Sequence, residues 1–112
     1  MKIGKYSLSV VNSGFFALDG GAMFGIIPKP LWEKDAPADE KNRIRLSTKH
    51  LLLQSDSKKI LIDTGMGNKW SAKQLEQFGV ENPNKDGMAE GLKQHGLTPS
   101  DITDVILTHL HF

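Results

Sequence analysis

Two histidines stand one residue apart near the end of the chain, in Thr108-His109-Leu110-His111-Phe112. In an extended backbone, residues i and i+2 face the same side. On a helix they would point roughly 160° apart. A strand end can therefore aim both imidazoles at one ion, and neutral imidazole suits Zn, Fe, Ni and Cu. Two ligands do not complete a tetrahedral zinc site, which takes three or four from the protein. Read by itself, the pair is weak evidence, and two polar residues at a strand end is the favoured reading.

Asp63 follows Ile60-Leu61-Ile62 and precedes Thr64-Gly65-Met66-Gly67. An aspartate there can cap a turn, and Gly65 and Gly67 read as turn glycines. No Lys-Ser/Thr pair follows, so a phosphate-cradling loop is disfavoured. His50 lies on the apolar face of its segment and reads as a core or edge histidine. His95 sits near a helix C-terminus, where a partly cationic ring is favoured. Met23, Phe24 and Met66 are candidates to line a substrate pocket, with plain packing equally open. Trp32 reads more as packing. There is no Gly-x-Ser-x-Gly nucleophile elbow. Gly20, Gly21 and Gly25 lack the strand-to-helix context of a dinucleotide fingerprint.

The elements that must position these residues follow from apolar spacing. Tyr6, Leu8 and Val10 alternate with serines, as in a half-buried strand. Phe15, Phe16 and Leu18 lead to a turn at Asp19-Gly20-Gly21. Prolines 28, 30 and 37 exclude a long helix or central strand between Ala22 and Pro37, so an ordered apolar loop is expected. Ile44, Leu46, Thr48, His50 and Leu52 share one face of a strand. Ser55-Asp56-Ser57-Lys58 is a turn signal, predicting a hairpin with Ile60-Leu61-Ile62. That run and Val105-Ile106-Leu107 are continuously apolar and read as strands buried on both faces. Ser71 can cap a short helix holding Leu75 and Phe78, closed by Gly79. A second helix is expected from Met88 to His95, stopped at Gly96. Strands, then helix, then strand indicate an α/β, α+β layered domain.

Composition bounds the partners. The 112 residues suit one small domain, 38% hydrophobic and 24% charged, a globular balance. A net charge of +1 gives no reason to expect nucleic acid or an anionic membrane. With no cysteine, any metal must be held by histidine and carboxylate. No apolar run suggests a signal peptide or approaches the ~20 residues of a membrane span, so a cytoplasmic location is expected.

Ile60-Leu61-Ile62-Asp63-Thr64-Gly65-Met66-Gly67 and Val105-Ile106-Leu107-Thr108-His109-Leu110-His111-Phe112 resemble the first two motifs of the metallo-β-lactamase superfamily. The second of these reads His-x-His-x-Asp-His in that family. Gly96-Leu97-Thr98-Pro99-Ser100-Asp101-Ile102 is similar to the stretch between them. Gly20-Gly21-Ala22-Met23-Phe24-Gly25 and Pro30-Leu31-Trp32 resemble its lactonase-like and organophosphate-hydrolase-like branches. The resemblance implies that residues 1–112 form the N-terminal half of an αββα sandwich, truncated within the second motif. It implies that His109 and His111 are ligands of one of two divalent ions, zinc being expected, and that Asp63 orients ligands from beneath. It implies hydrolysis of a small ester, lactone or phosphoester, with this piece inactive alone. The alternatives are a non-catalytic half-domain that associates through its exposed sheet edge and, less favoured, a diiron redox protein.

Overall fold

The computed structural model describes residues 1–111; Phe112, the last residue of the second motif, lies outside the described residues. Five strands form one sheet in the order of the chain: β1 (Lys2–Ile3), β2 (Tyr6–Asp19), β3 (Arg43–Gln54), β4 (Lys59–Ile62) and β5 (Asp104–Ile106). The first three pairings are antiparallel and β4 runs parallel to β5. The crossover between β4 and β5 carries α3 (Ala72–Gln77) and α4 (Gly87–Lys93).

Local signals explain most boundaries. The β3–β4 hairpin closes as expected at Ser55 and Lys58, with the Ser55 amide donating to the Lys58 carbonyl at 2.8 Å. Ser71 caps α3 in a reciprocal capping box with Gln74, and Gly79 follows at φ 52°. Asp86 caps α4, which starts at Gly87, one residue ahead of the predicted start, and ends at Lys93. The proline-rich stretch is not all loop. It carries α1 (Gly20–Phe24), capped by Asp19, and α2 (Lys29–Trp32), where Pro30 sits in the first turn. Trp32 is buried, its ring stacked on Phe24 at 4.9 Å between centroids and pressed against Gly20.

Strand β2 runs to Asp19, with its register against β3 shifting between Asn12 and Gly14. Gly14 has φ 142°, and its amide donates to the Asn12 side chain. Such a bulge adds a residue to one strand and re-aims its neighbours; here the added residue is Ser13.

The core lies on one side of the sheet. Val11 and Leu52 pack with Leu92 of α4 and with Leu97. Ile44, Thr48, His50 and Leu52 are buried on this face, as the alternation in β3 predicts. Helix α4 sits close because Gly87 and Gly91 face β2; a Cβ at Gly91 would clash with the Asn12 carbonyl.

Registered partners point the same way across a sheet. Leu8, Val10, Leu51, Leu53, Ile60, Ile62 and Ile106 therefore share the opposite face, and no described helix packs there. Two expectations change. In β2 the buried residue is Val11, while Val10 is 57% exposed, because the helices cover the other side of the strand. The runs in β4 and β5 are not buried on both faces. Leu61 is buried, but Val105, Ile106 and Leu107 are each at least half exposed on the uncovered edge.

Candidate metal centre

Because β4 and β5 are parallel, their C-terminal ends emerge on the same side of the sheet. Asp63 follows one and Thr108–His111 follow the other. The Asp63 amide extends the ladder by donating to the Ile106 carbonyl at 2.8 Å. Asp63 itself has φ 62°, a left-handed conformation that aspartate tolerates better than most residues. The turn aims its carboxylate across to the neighbouring chain end. Oδ1 accepts from the Thr108 amide at 2.8 Å and Oδ2 from the Thr108 hydroxyl at 2.7 Å. These two bonds hold the carboxyl below its usual range, the amide most and the hydroxyl next, each outweighing the desolvation that opposes them. His109 and His50 add weaker attraction.

The Thr108 oxygen also lies 2.9 Å from Nδ1 of His109. A hydroxyl has one proton, and a carboxylate can only accept. With the Thr108 proton on Asp63, Nδ1 of His109 must carry a proton and donate it to Thr108. The lone pair of His109 is then on Nε2, the nitrogen left free to bind a cation. Asp63 thus fixes the tautomer of His109 through one hydroxyl.

His109 and His111 lie with ring centroids 5.4 Å apart and planes at 63°. Two imidazoles bound to one tetrahedral ion through bonds of about 2.0–2.1 Å would hold their centroids roughly 5 Å apart. The pair fits a shared ion. The backbone reaches this arrangement by a bend over Thr108–Leu110 rather than by continuing β5. Among the described residues, no group of three His, Asp or Glu side chains converges as a complete ligand set.

Met66 lines a cavity of about 480 Å³, together with Thr64, Asn68, Trp70 and the Asn12–Phe15 segment of β2. The Trp70 indole donates to the Met66 carbonyl at 2.6 Å. Met23 and Phe24 lie away from this cavity, on α1, with Phe24 against Trp32. His109 and His111 are not among its walls. His95 donates from Nε2 to the Val10 carbonyl at 3.1 Å and has a structural role.

Two groups at the site escape the linear reading. Thr108 was visible only as the residue before the first histidine. Ser13 and Thr48 hydrogen-bond beside His50, and no local pattern links positions 13, 48 and 50.

Residues 46–112 match the family described as the metallo-beta-lactamase superfamily, more than half of the chain. The chain belongs to the metallo-β-lactamase superfamily. Among solved structures, it is 45% identical to a probable metal-dependent hydrolase from Staphylococcus aureus, with a TM-score of 0.84 over 100% of this chain and 40% of that one. It has the fold of AidC, a dizinc quorum-quenching lactonase, at 22% identity and TM-score 0.67, covering 99% of this chain and 35% of that one. It is similarly placed against the hydrolase AbOPH of the beta lactamase superfamily, at 21% identity and TM-score 0.66, with coverage of 99% and 35%. No curated protein matches it. The chain thus spans about 40% of the length of the first of these structures. Its five-stranded sheet and helices correspond to a portion of the superfamily fold, as expected. Among the described residues, no helix is long and apolar enough to cross a membrane.

Proposed function

We propose that this chain is the metal-anchoring portion of a hydrolase acting on a small ester, lactone or phosphoester. The observation that carries the reading is the pairing of His109 with His111, with His109 held in one tautomer by Asp63 through Thr108. His109 and His111 would hold one divalent ion, zinc being the metal proposed. Such an ion lowers the pKa of bound water to about 7 and polarises the acceptor oxygen of a substrate.

The chain's own residues have defined tasks in this scheme. His109 offers Nε2, and His111 approaches from the adjacent turn. Asp63 stays ionised, since its two bonds from Thr108 favour the charged form, and it keeps Thr108 oriented. Met66 and Trp70 offer apolar contact to a substrate in the cavity that follows the Asp63–Gly65 turn.

The described residues bring two imidazoles to this centre, those of His109 and His111, and a working site takes at least three protein ligands. The chain alone is therefore expected to bind zinc weakly and to turn over little. The test compares two samples loaded with zinc: the full-length protein containing this segment, and the 112-residue chain. Lactone, ester and phosphoester cleavage by the first, abolished by His109→Ala, is the expected result. No cleavage of any of the three by the zinc-loaded full-length protein would refute the reading.

A further inference from the structure

A second polar cluster lies under the Asp63–Gly65 turn, on the covered face of the sheet. His50 is 5% exposed and Thr48 is 6% exposed. Nε2 of His50 lies 2.7 Å from the Ser13 hydroxyl, which lies 2.8 Å from the Thr48 hydroxyl. Thr48 in turn donates to the Gly14 carbonyl at 3.2 Å. All three contacts are satisfied together by one order of protons. Thr48 gives its proton to the carbonyl, Ser13 gives its proton to Thr48, and His50 donates from Nε2 to Ser13. The cluster is therefore directional, running from the histidine to the bulge.

Gly65 rests directly on this cluster. Its nearest neighbours, were it given a Cβ, would be the Ser13 hydroxyl, closer than real Cβ atoms approach, and Nε2 of His50 at 3.1 Å. Its φ of 72° is also one that other residues resist. The bulge in β2 is what lifts Ser13 to this position, and α4 clamps it there: a Cβ on Gly87 would collide with the Ser13 carbonyl. The turn that carries Asp63 is thus seated on a hydroxyl whose own place is set by two strands and a helix.

We propose that Ser13 and His50, with Thr48, are positioning residues that set the height of the Asp63–Gly65 turn and, through Asp63 and Thr108, the placement of His109. The role rests on the metal-centre reading for its purpose but not for its structural content. Removing Ser13 leaves His50 without an acceptor and Gly65 without its seat. The turn then relaxes and the grip of Asp63 on Thr108 loosens.

The test uses the 112-residue chain labelled with 15N, comparing wild type with Ser13→Ala, His50→Gln and, as a control, His109→Ala. Ser13→Ala is expected to speed hydrogen exchange of the Thr108 amide about tenfold, and to weaken His109-dependent zinc binding about tenfold, a loss typical of outer-sphere partners. Gly65→Ala alone is expected to disturb the Thr108 amide, and the disturbance to shrink when Ser13→Ala is added. Unchanged Thr108 exchange in folded Ser13→Ala, or strict additivity of the two changes, would overturn the proposal. If His50→Gln fails to fold, the Ser13 and Gly65 variants still decide it. Should zinc bind no better to the full-length protein containing this segment than to its His109→Ala variant while Thr108 still responds to Ser13→Ala, the metal reading falls and the positioning role stands.

Discussion

Asp63 holds Thr108 with both carboxylate oxygens, one on the amide and one on the hydroxyl. The two residues are 45 positions apart and meet because β4 and β5 run parallel, so the ends of both strands reach the same rim. That grip transmits the position of one turn to the histidine that follows the other strand.

Breaking the grip at its centre separates placement from charge. Thr108→Val keeps the shape of the side chain and removes the proton that Asp63 accepts. Nδ1 of His109 then loses its acceptor, and its preference for the Nε2 lone pair should fade. Ring 15N shifts of His109 are expected to move toward a mixture of tautomers, with zinc binding weakened about tenfold. Unchanged ring shifts would contradict a Thr108 proton donated to Asp63 and an Nδ1 proton on His109.

Asp63→Asn tests the charge itself. Asparagine tolerates the left-handed backbone at this position, so the turn should persist. One carboxylate oxygen is replaced by an NH2 group, a donor that cannot accept from Thr108. The Thr108 amide proton should shift upfield and zinc binding should fall at least as far as in Thr108→Val. The folded pKa of Asp63 lies below its ordinary value, so its contribution is present above the ordinary carboxylate range and is lost as pH falls through the folded pKa. Wild type should lose this contribution in acid, and Asp63→Asn should not.

His50 titrates in the other region. Burial lowers its pKa, with the Asp63 charge opposing weakly. The unfolded chain takes up the proton first as pH falls, near the ordinary value of about 6.5. Stability is therefore highest with His50 neutral and declines as pH drops below about 6.5 toward the folded pKa. Urea unfolding at several pH values between 5 and 8 should show this decline in wild type and a flatter profile in His50→Gln. An equal slope in both would remove His50 as the cause.

The core rests on a close helix–strand approach. Leu92 is fully buried against Val11 and Leu52, and Leu92→Ala should cost about 2–5 kcal/mol. Gly91→Ala should be destabilising by about 1–3 kcal/mol, since the added methyl meets the Asn12 carbonyl. Denaturant midpoints measure both. A neutral Gly91→Ala would mean that α4 does not lie on β2 as described.

The aliphatic face that includes Val10, Leu51 and Ile62 bears on association. The outer edge of β2 is guarded, since Ala17 and Phe15 pair with the Phe78 and Glu81 backbone. Among the described residues, no strand pairs with the outer edge of β5. We expect the 112-residue chain to self-associate at high concentration and to melt below ~65 °C, within the mesophile range. Val10→Lys, on the 57% exposed side chain, should reduce association in size-exclusion chromatography. A monodisperse wild-type monomer with a sharp high-temperature melt would refute this.

What could be read in the one-dimensional chain was whatever depends on near neighbours. Turn residues at 55–58, the Ser71 cap and the alternation in β3 each act over a few residues, and each is recovered in the structure. The motif pair around Asp63 and His109 was also legible, because its residue types and order are unusual enough to mark the superfamily. What needed the tertiary structure were relationships between distant positions. Which face of β2 would be covered depended on where α4 landed, so Val11 rather than Val10 is buried. The runs at 60–62 and 105–107 read as doubly buried, yet apolarity tells how strongly a strand prefers cover, not whether a layer lies over it. The Ser13–Thr48–His50 cluster and the Asp63–Thr108–His109 relay join residues up to 46 positions apart. Hydrogen bonds of that kind depend on angles and distances set only when the sheet has closed, and no local spacing encodes them.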